Sequence, residues 1–441
     1  MQTNVYNKIK RCYNKFIVIS WSVKIMQKYY LCIDLKTFYA SVECVERGLD
    51  PFNTNLVVAD PNRGKGTICL AISPKMKMLG VKNRCRIFEI PPTIKYIVAT
   101  PRMKKYIEYS ANIYAIYLKY FSKEDIHVYS IDEAFMDVTK YLKLYKLNPI
   151  ELAKKIIRDI FKTYGITATA GIGTNMYLAK IALDITAKHN PNNIGYLDEE
   201  KYKKELWHHK PLSDFWQIGK GIERRLNKMG IFNMYDIAHT NQKRLYKEFG
   251  VNAEYLIDHS WGKESCTIAD IKAYKPKTNS ITNSQVLFED YSFIKARLVL
   301  KEMVELGSLR LIESNLVTDT VGLYIGYSKN TIKATGGTKK LTNYTNTYSE
   351  LLKAFLEIYD KTTDTDIPIR RIGVNFTNVI ETESVQLSLF IDQKKIDEER
   401  KLELAMCSIK NKMGKNAIIR GMFTAQANCP NRFLFFKTQV I

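Results

Sequence analysis

Val128-Tyr-Ser-Ile-Asp-Glu-Ala-Phe-Met-Asp137 sets two adjacent carboxylates, Asp132 and Glu133, between apolar runs. The alternation from Ile126 to Ile131 and the apolar residues after Glu133 predict a strand, a turn carrying both acids, and a second strand. Adjacent like charges repel, and a turn with no other task is served by Asn-Gly or Asp-Gly. The pair is therefore a candidate site for a divalent cation, with a solvated hairpin tip as the alternative. A third acid bears on the choice. Leu31-Cys-Ile-Asp34 reads as a short apolar strand ending in an acid, with a helix-like run from Thr37. Asp34 facing the acidic turn would give three carboxylates around one or two Mg²⁺, a hard cation that takes oxygen ligands and keeps waters or phosphates as the remainder. Two such ions ~3.5–4 Å apart clamp the attacking and leaving oxygens of an in-line phosphoryl transfer.

Ile33-Asp-Leu-Lys-Thr-Phe-Tyr-Ala-Ser-Val-Glu43 and Ser130-Ile-Asp-Glu-Ala-Phe135 resemble the two catalytic motifs of the Y-family translesion DNA polymerases, on the DinB/UmuC branch. The similarity continues in order from about Leu31 into the C-terminal tail, whose layout resembles UmuC-like proteins of Gram-positive bacteria more than DinB. The resemblance implies an α+β multidomain chain of right-handed polymerase architecture. Its parts are expected as palm (31–38 and 102–196), fingers (39–101), thumb (197–270), linker (271–280), little finger (281–380) and tail (381–441). An N-terminal extension, 1–30, precedes them; it is expected to be dispensable, with Met26 the natural start.

The same resemblance implies error-prone, template-directed transfer of a nucleotide from dNTP to a primer 3′-hydroxyl, with two Mg²⁺ as cofactors. Asp34, Asp132 and Glu133 fall at the catalytic positions, with the Leu35 carbonyl as a further metal ligand. Tyr39 matches the steric gate, an aromatic ring that occupies the space a ribose 2′-hydroxyl needs. Phe38, Lys77 and Lys188 are assigned to the triphosphate. Two features depart from the DinB pattern. Pro74 and Lys77 stand where Tyr and Arg are common; proline suits a first helical turn, and lysine offers phosphate a point charge but no bidentate fork. Lys188 lies one residue further from Lys180 than DinB spacing has it.

Ile218-Gly-Lys-Gly-Ile222 followed by a helical pattern looks like a helix-hairpin-helix, in which Gly219, Lys220 and Gly221 let backbone N–H groups approach a DNA phosphate. Gly171-Ile-Gly173 is a weak signal, with no Walker lysine pattern after it. Arg370 and Arg371 are candidate DNA contacts of the little finger. Gln386-Leu-Ser-Leu-Phe390 resembles the motif by which bacterial polymerases bind the sliding clamp, through Gln386, Leu387, Leu389 and Phe390.

Composition agrees with a nucleic-acid partner. Lys and Arg number 67 against 45 Asp and Glu, a net +22, and such an excess favours polyanions. No apolar run is long enough to span a membrane. The eight cysteines form no Cys-x-x-Cys or Cys/His cluster, which points away from a zinc site or disulfide framework and towards a cytoplasmic setting. Expected helices include Arg102–Lys119, with Tyr106, Ile107, Ile113, Tyr114 and Tyr117 as its core stripe, and a charged one over Asp397–Lys412. Two rivals are an idle DNA- and clamp-binding modulator of the replisome and a nucleotide cyclase on a similar palm; the cyclase needs neither the helix-hairpin-helix nor the clamp peptide. An accessory subunit stays open as a further partner.

Overall fold

In a computed structural model, residues 27–64, 66–276, 279–328, 332–384, 393–414, 417–420 and 439–440 are described. The chain divides between Tyr274 and Lys275 into two compact units. The N-terminal stretch 1–26 and the clamp-like peptide 386–390 lie outside the described residues.

The first unit is organised by β1 (Tyr30–Leu35), five of whose six residues are buried. A strand covered on both faces needs apolar side chains on both, which is why it reads as a continuous apolar run. β2 (Leu56–Val58), β3 (Ala71–Ile72) and β4 (Ile97–Ala99) make a small separate sheet in the order β3-β2-β4. β5 (Ile126–Val128), β6 (Glu133–Asp137), β7 (Ala168–Gly173) and β8 (Ile194–Leu197) join β1 in the order β5-β6-β1-β7-β8. β1 is antiparallel to both neighbours.

Period-two alternation sorts the sheet's side chains. Leu31, Ile33, Ala134, Met136, Ala170 and Ile172 pack against the helices Met103–Tyr120 and Pro149–Tyr164. Tyr30, Cys32 and Phe135 face Met176, Ala179, Leu183 and Ile268 on the other side. On the helix Met103–Tyr120 the buried stripe is Tyr106, Ile113, Ile116, Tyr117 and Tyr120. Ile107, expected in the core, is 56% exposed, because it sits about 100° round the helix from Tyr106. The helix Phe38–Val45 buries Phe38, Ala40, Val42 and Cys44 in the same core as the β1 sheet. The fingers boundary expected at 39 therefore cuts a helix that packs with the sheet.

Gly171 and Gly173 of β7 are close-packing positions. A Cβ on Gly171 would lie 2.0 Å from the Ala179 carbonyl oxygen, and one on Gly173 would lie 2.2 Å from the Ala179 nitrogen. Only glycine lets the helix Met176–Ile181 lie this close to the sheet. From Glu199 onward, short helices pack Tyr202, Phe215, Leu226, Leu245 and Leu256 into a core shared with Tyr177, Leu178 and Ile181 of the helix Met176–Ile181.

The second unit is a five-stranded sheet with helices on one face. β9 (Asn279–Tyr291), β10 (Leu316–Tyr327), β11 (Thr335–Thr345), β12 (Ile369–Glu381) and β13 (Gln439–Val440) lie in the order β11-β10-β12-β9-β13. The helices Phe293–Glu313 and Tyr348–Thr362 bury Leu300, Val304, Leu351 and Phe355 against Val321, Ile325, Ile372, Val374 and Phe376. β11 carries little apolar signal because it is an edge strand of largely polar composition. The expected linker 271–280 is narrower, since 271–273 finish the helix Ile268–Ala273 and β9 begins at Asn279.

The charged helix foreseen near the C-terminus runs over Gln393–Met413 and is docked onto this unit. Met406 and Cys407 pack on Leu309. Glu399 accepts from the Ser349 hydroxyl at 2.6 Å, and the buried Glu403 accepts from the Tyr348 N–H at 3.2 Å and the Arg420 guanidinium at 3.3 Å. The region expected as a tail thus contributes part of a folded domain.

Close packing at Gly171 gives a stability test. Gly171→Ala is expected to lower stability by about 3 kcal/mol through overpacking against backbone that cannot give way. Denaturant unfolding of the two proteins, compared at the midpoint, measures it.

Candidate active site

The register of β1 against β6 places Asp34 opposite Glu133. The turn between β5 and β6 is closed by the N–H groups of Tyr129 and Ser130, each donating to the Glu133 carbonyl at 3.0 Å, and by the Leu35 N–H donating to the Asp132 carbonyl at 2.9 Å. The Ser130 hydroxyl donates to Asp132 at 2.7 Å. These bonds fix the three acids at one end of the sheet. Burial, followed by the charges of Asp132 and Glu133, raises the Asp34 pKa to about 7. Glu133 is turned towards Lys180, whose Nζ lies 2.8 Å from its Oε1, and the Cys32 thiol donates to the same carboxylate at 3.1 Å.

Among the described residues no group of three or more His, Cys, Asp or Glu side chains closes around a point where an ion would sit. The donor set itself suits Mg²⁺: oxygen donors only, crowded enough to raise one carboxyl, the electrostatic condition a divalent cation relieves.

Cations frame these acids. Lys77 lies on the helix Pro74–Met78, whose first turn is set by Pro74 and by the Ser73 hydroxyl accepting from the Met76 N–H at 3.4 Å. Burial lowers the Lys77 pKa, with Lys188 acting in the same direction and Asp34 in the opposite one. Lys188 lies 3.4 Å from Asp184, which also pairs with Lys180 at 3.2 Å.

The extra residue between Lys180 and Lys188 has a structural explanation. Ala182–Thr186 forms a π-helical turn, and an i→i+5 turn takes in one more residue than an α-turn without displacing the helix beyond it. Lys188 is therefore still brought to the acids, within electrostatic reach of Asp34. Lys36 was not picked out from sequence. Its side chain donates to Asn193, and burial and then Lys77 lower its pKa.

Tyr39 stacks on Tyr106, ring centroids 4.4 Å apart, and lies within electrostatic reach of Asp132. Tyr106 is itself held by Glu43, a fully buried carboxylate that accepts from the Tyr106 hydroxyl at 2.8 Å and from Arg102 at 2.9 and 3.0 Å, with Arg47 as a further partner. Burial opposes a charge on Glu43, but these donors outweigh it and hold its pKa below the usual value. Phe38, expected at the triphosphate, has its side chain in the core at 2% exposure; only its main chain is left for such a contact. Thr37 before it sits at φ 47°, strained for a β-branched residue, and Ser41 braces the turn by donating to the Lys36 carbonyl at 2.8 Å.

Of the candidate DNA contacts, Gly219 caps the helix Lys220–Lys228, and the space beside Gly219 and Gly221 is open. In the second unit Arg370 lies 3.6 Å from Asp290, and Arg371 stacks over Tyr324 at 5.3 Å. Trp216, which no sequence signal marked, donates to the Tyr129 hydroxyl at 3.1 Å and packs on Phe135, tying the helical region to the acidic turn.

This geometry is matched by comparison with known proteins. Models of the impB/mucB/samB family and of that family's C-terminal domain match residues 33–184 and 278–389. The chain is 34% identical to the putative UV-damage repair protein UvrX of Bacillus subtilis, over 90% of this chain and 93% of that one. It is 32% identical to a DNA polymerase IV 2 of the same species, over 89% and 94%. A Y-family DNA polymerase chimera of Dbh and Dpo4 superposes with a TM-score of 0.64 at 25% identity, covering 80% of this chain and 99% of that one. The α+β fold is thus that of the Y-family polymerases, and the chain belongs to the impB/mucB/samB family.

Glu43 supplies the prediction here. Glu43→Gln is expected to cost about 1.5 kcal/mol at neutral pH, because the amide loses the charge-assisted bonds from Arg102 and Arg47, while Arg102 keeps its 3.5 Å contact with Glu46. The depressed pKa means that the wild-type contribution is present above the ordinary carboxylate range and is lost as pH falls through the lowered value. Urea unfolding against pH should therefore show a shallower acid limb in the variant.

Proposed function

We infer that this chain copies DNA past damaged bases: it is a DNA-directed DNA polymerase of the error-prone, translesion kind, adding nucleotides from dNTP to a primer 3′-hydroxyl. The observation that carries the site assignment is the cross-strand pairing of Asp34 with Glu133, beside Asp132 and ringed by lysines. Asp34, Asp132, Glu133 and the Leu35 carbonyl would hold two Mg²⁺, which on binding lower the pKa of the primer hydroxyl and offset charge on the triphosphate. Lys77 and Lys188 hold the triphosphate electrostatically. Lys180 orients Glu133 through their 2.8 Å contact. Tyr39, backed by Tyr106, closes the space beside the sugar.

We assign residues 31–38 and 102–196 to the palm, with the helix Phe38–Val45 packed on it, and the small β3-β2-β4 sheet to the fingers. The helices from Glu199 to Ala273 serve as thumb, where Gly219, Lys220 and Gly221 receive a backbone phosphate without reading sequence. The second unit serves as little finger, with Arg370 and Arg371 as DNA contacts. Gln386, Leu387, Leu389 and Phe390 form the sliding-clamp peptide, supported by their position between β12 and the docked helix. No helix among the described residues is long and apolar enough to cross a membrane.

Mg²⁺-dependent primer extension on undamaged and lesion-bearing templates tests this reading. Asp132→Ala combined with Glu133→Ala is expected to abolish the extension seen with the wild type while primer–template binding persists. Wild-type binding without extension, even with the clamp present, would favour an idle DNA-binding protein. For Tyr39→Ala, incorporation of ribonucleotides relative to deoxyribonucleotides is expected to rise by ~10²-fold or more, from loss of a steric exclusion.

A further inference from the structure

Three ammonium groups, of Lys36, Lys77 and Lys188, converge on the side of the site next to Asp34. Lys36 is half-buried and Lys77 is exposed; the two lie within electrostatic reach of one another and of Asp34, and Lys77 also of Lys188. Their partners differ. Lys188 and Lys180 share the Asp184 carboxylate. Among the described residues neither Lys36 nor Lys77 is in an ion pair, and the hydrogen-bond partner of Lys36 is the neutral side-chain carbonyl of Asn193.

Like charges brought this near repel; the carboxylate in reach of both is Asp34, which among the described residues forms no ion pair with either, so a polyanion entering beside Asp34 relieves the arrangement. The backbone around Lys36 fixes where its charge sits. Its N–H donates to the Thr167 carbonyl at 2.9 Å, its carbonyl is held by Ser41, and Thr37 after it is locked in the left-handed region. Asn193, also at positive φ, steers the ammonium from the loop before β8. A lysine needed only for solubility requires none of this.

We propose that Lys36 is a third phosphate-binding cation, holding the triphosphate of the incoming nucleotide together with Lys77 and Lys188, with Asn193 as its positioning residue. The assignment rests on the polymerase reading of the site. It also accounts for how the site manages with a lysine at position 77, which gives phosphate a point charge in place of a guanidinium fork: a second point charge from Lys36 supplies part of what the fork would.

Lys36→Met keeps the length of the side chain and removes the charge. In single-nucleotide insertion on an undamaged template, KM for dNTP is expected to rise about tenfold, the loss of one charge-assisted phosphate contact, with kcat changed less than about twofold. Lys36→Arg should stay near wild type, and Asn193→Ala should show a smaller KM increase than Lys36→Met. Binding of inorganic tripolyphosphate to the whole protein, measured by calorimetry, is expected to weaken by the same factor in Lys36→Met. Thermal unfolding establishes that each variant is folded.

Tripolyphosphate affinity and KM both unchanged in folded Lys36→Met would overturn the proposal. Should the wild type fail to extend primers, a loss of tripolyphosphate affinity in Lys36→Met would still support Lys36 as a phosphate ligand, while the polymerase reading would fall. Equal losses in KM and kcat across Lys36→Met and Lys36→Arg, with tripolyphosphate binding intact, would mark Lys36 as merely structural.

Discussion

Everything in the first unit depends on β1 being held between β6 and β7, because that register sets Asp34 against Glu133. Burial penalises the Asp34 charge, and the neighbouring Asp132 and Glu133 add repulsion, as the raised Asp34 pKa records. The sheet's hydrogen bonds and two-sided apolar packing hold them there. Strain of this kind persists only where the surroundings over-determine it, and the surroundings here are a sheet buried on both faces.

The lysines around the acids fall into two roles. Lys180 and Asp184 make a chain of ion pairs from Glu133 to Lys188, which keeps the acids compensated. Lys36 and Lys77 form no ion pair among the described residues and feel only the nearby Asp34 charge as an attraction. The π-turn at Ala182–Thr186 lets one helix carry both Lys180 and Lys188 to the same site despite the additional residue between them. A one-residue insertion in an α-helix would otherwise rotate Lys188 by about 100°, away from Asp34.

The second unit solves a different problem. Its docked helix Gln393–Met413 buries Glu403, and burial, then Glu399, raises that carboxyl to about 7. Arg420 lies 3.4 Å from Glu305 and 3.3 Å from Glu403, so one guanidinium bridges the helix and the domain beneath it. Buried acids sharing one arginine stabilise little compared with apolar packing, but they specify how the helix sits. The peptide 386–390 is consequently flanked on both sides by elements of the same domain.

The acidic turn, the strand carrying Asp34 near its end and the helix start at Pro74 were legible in the sequence because each is a local signal: period-two alternation, an acid pair between apolar runs, a proline suited to a first turn. Other features were not legible. Ile107 and Ile116 are equally apolar, and only the phase of the helix against the sheet decides which is buried. Gly171-Ile-Gly173 carries no mark of the backbone that presses on it. Lys36 and Glu43 look like ordinary charged residues until the fold brings Asn193 to one and Arg102 to the other. Sequence by itself determined which residue types stand at the strand and helix ends. Tertiary structure alone decided which charges meet, because that depends on strand register and helix phase between segments far apart in the chain.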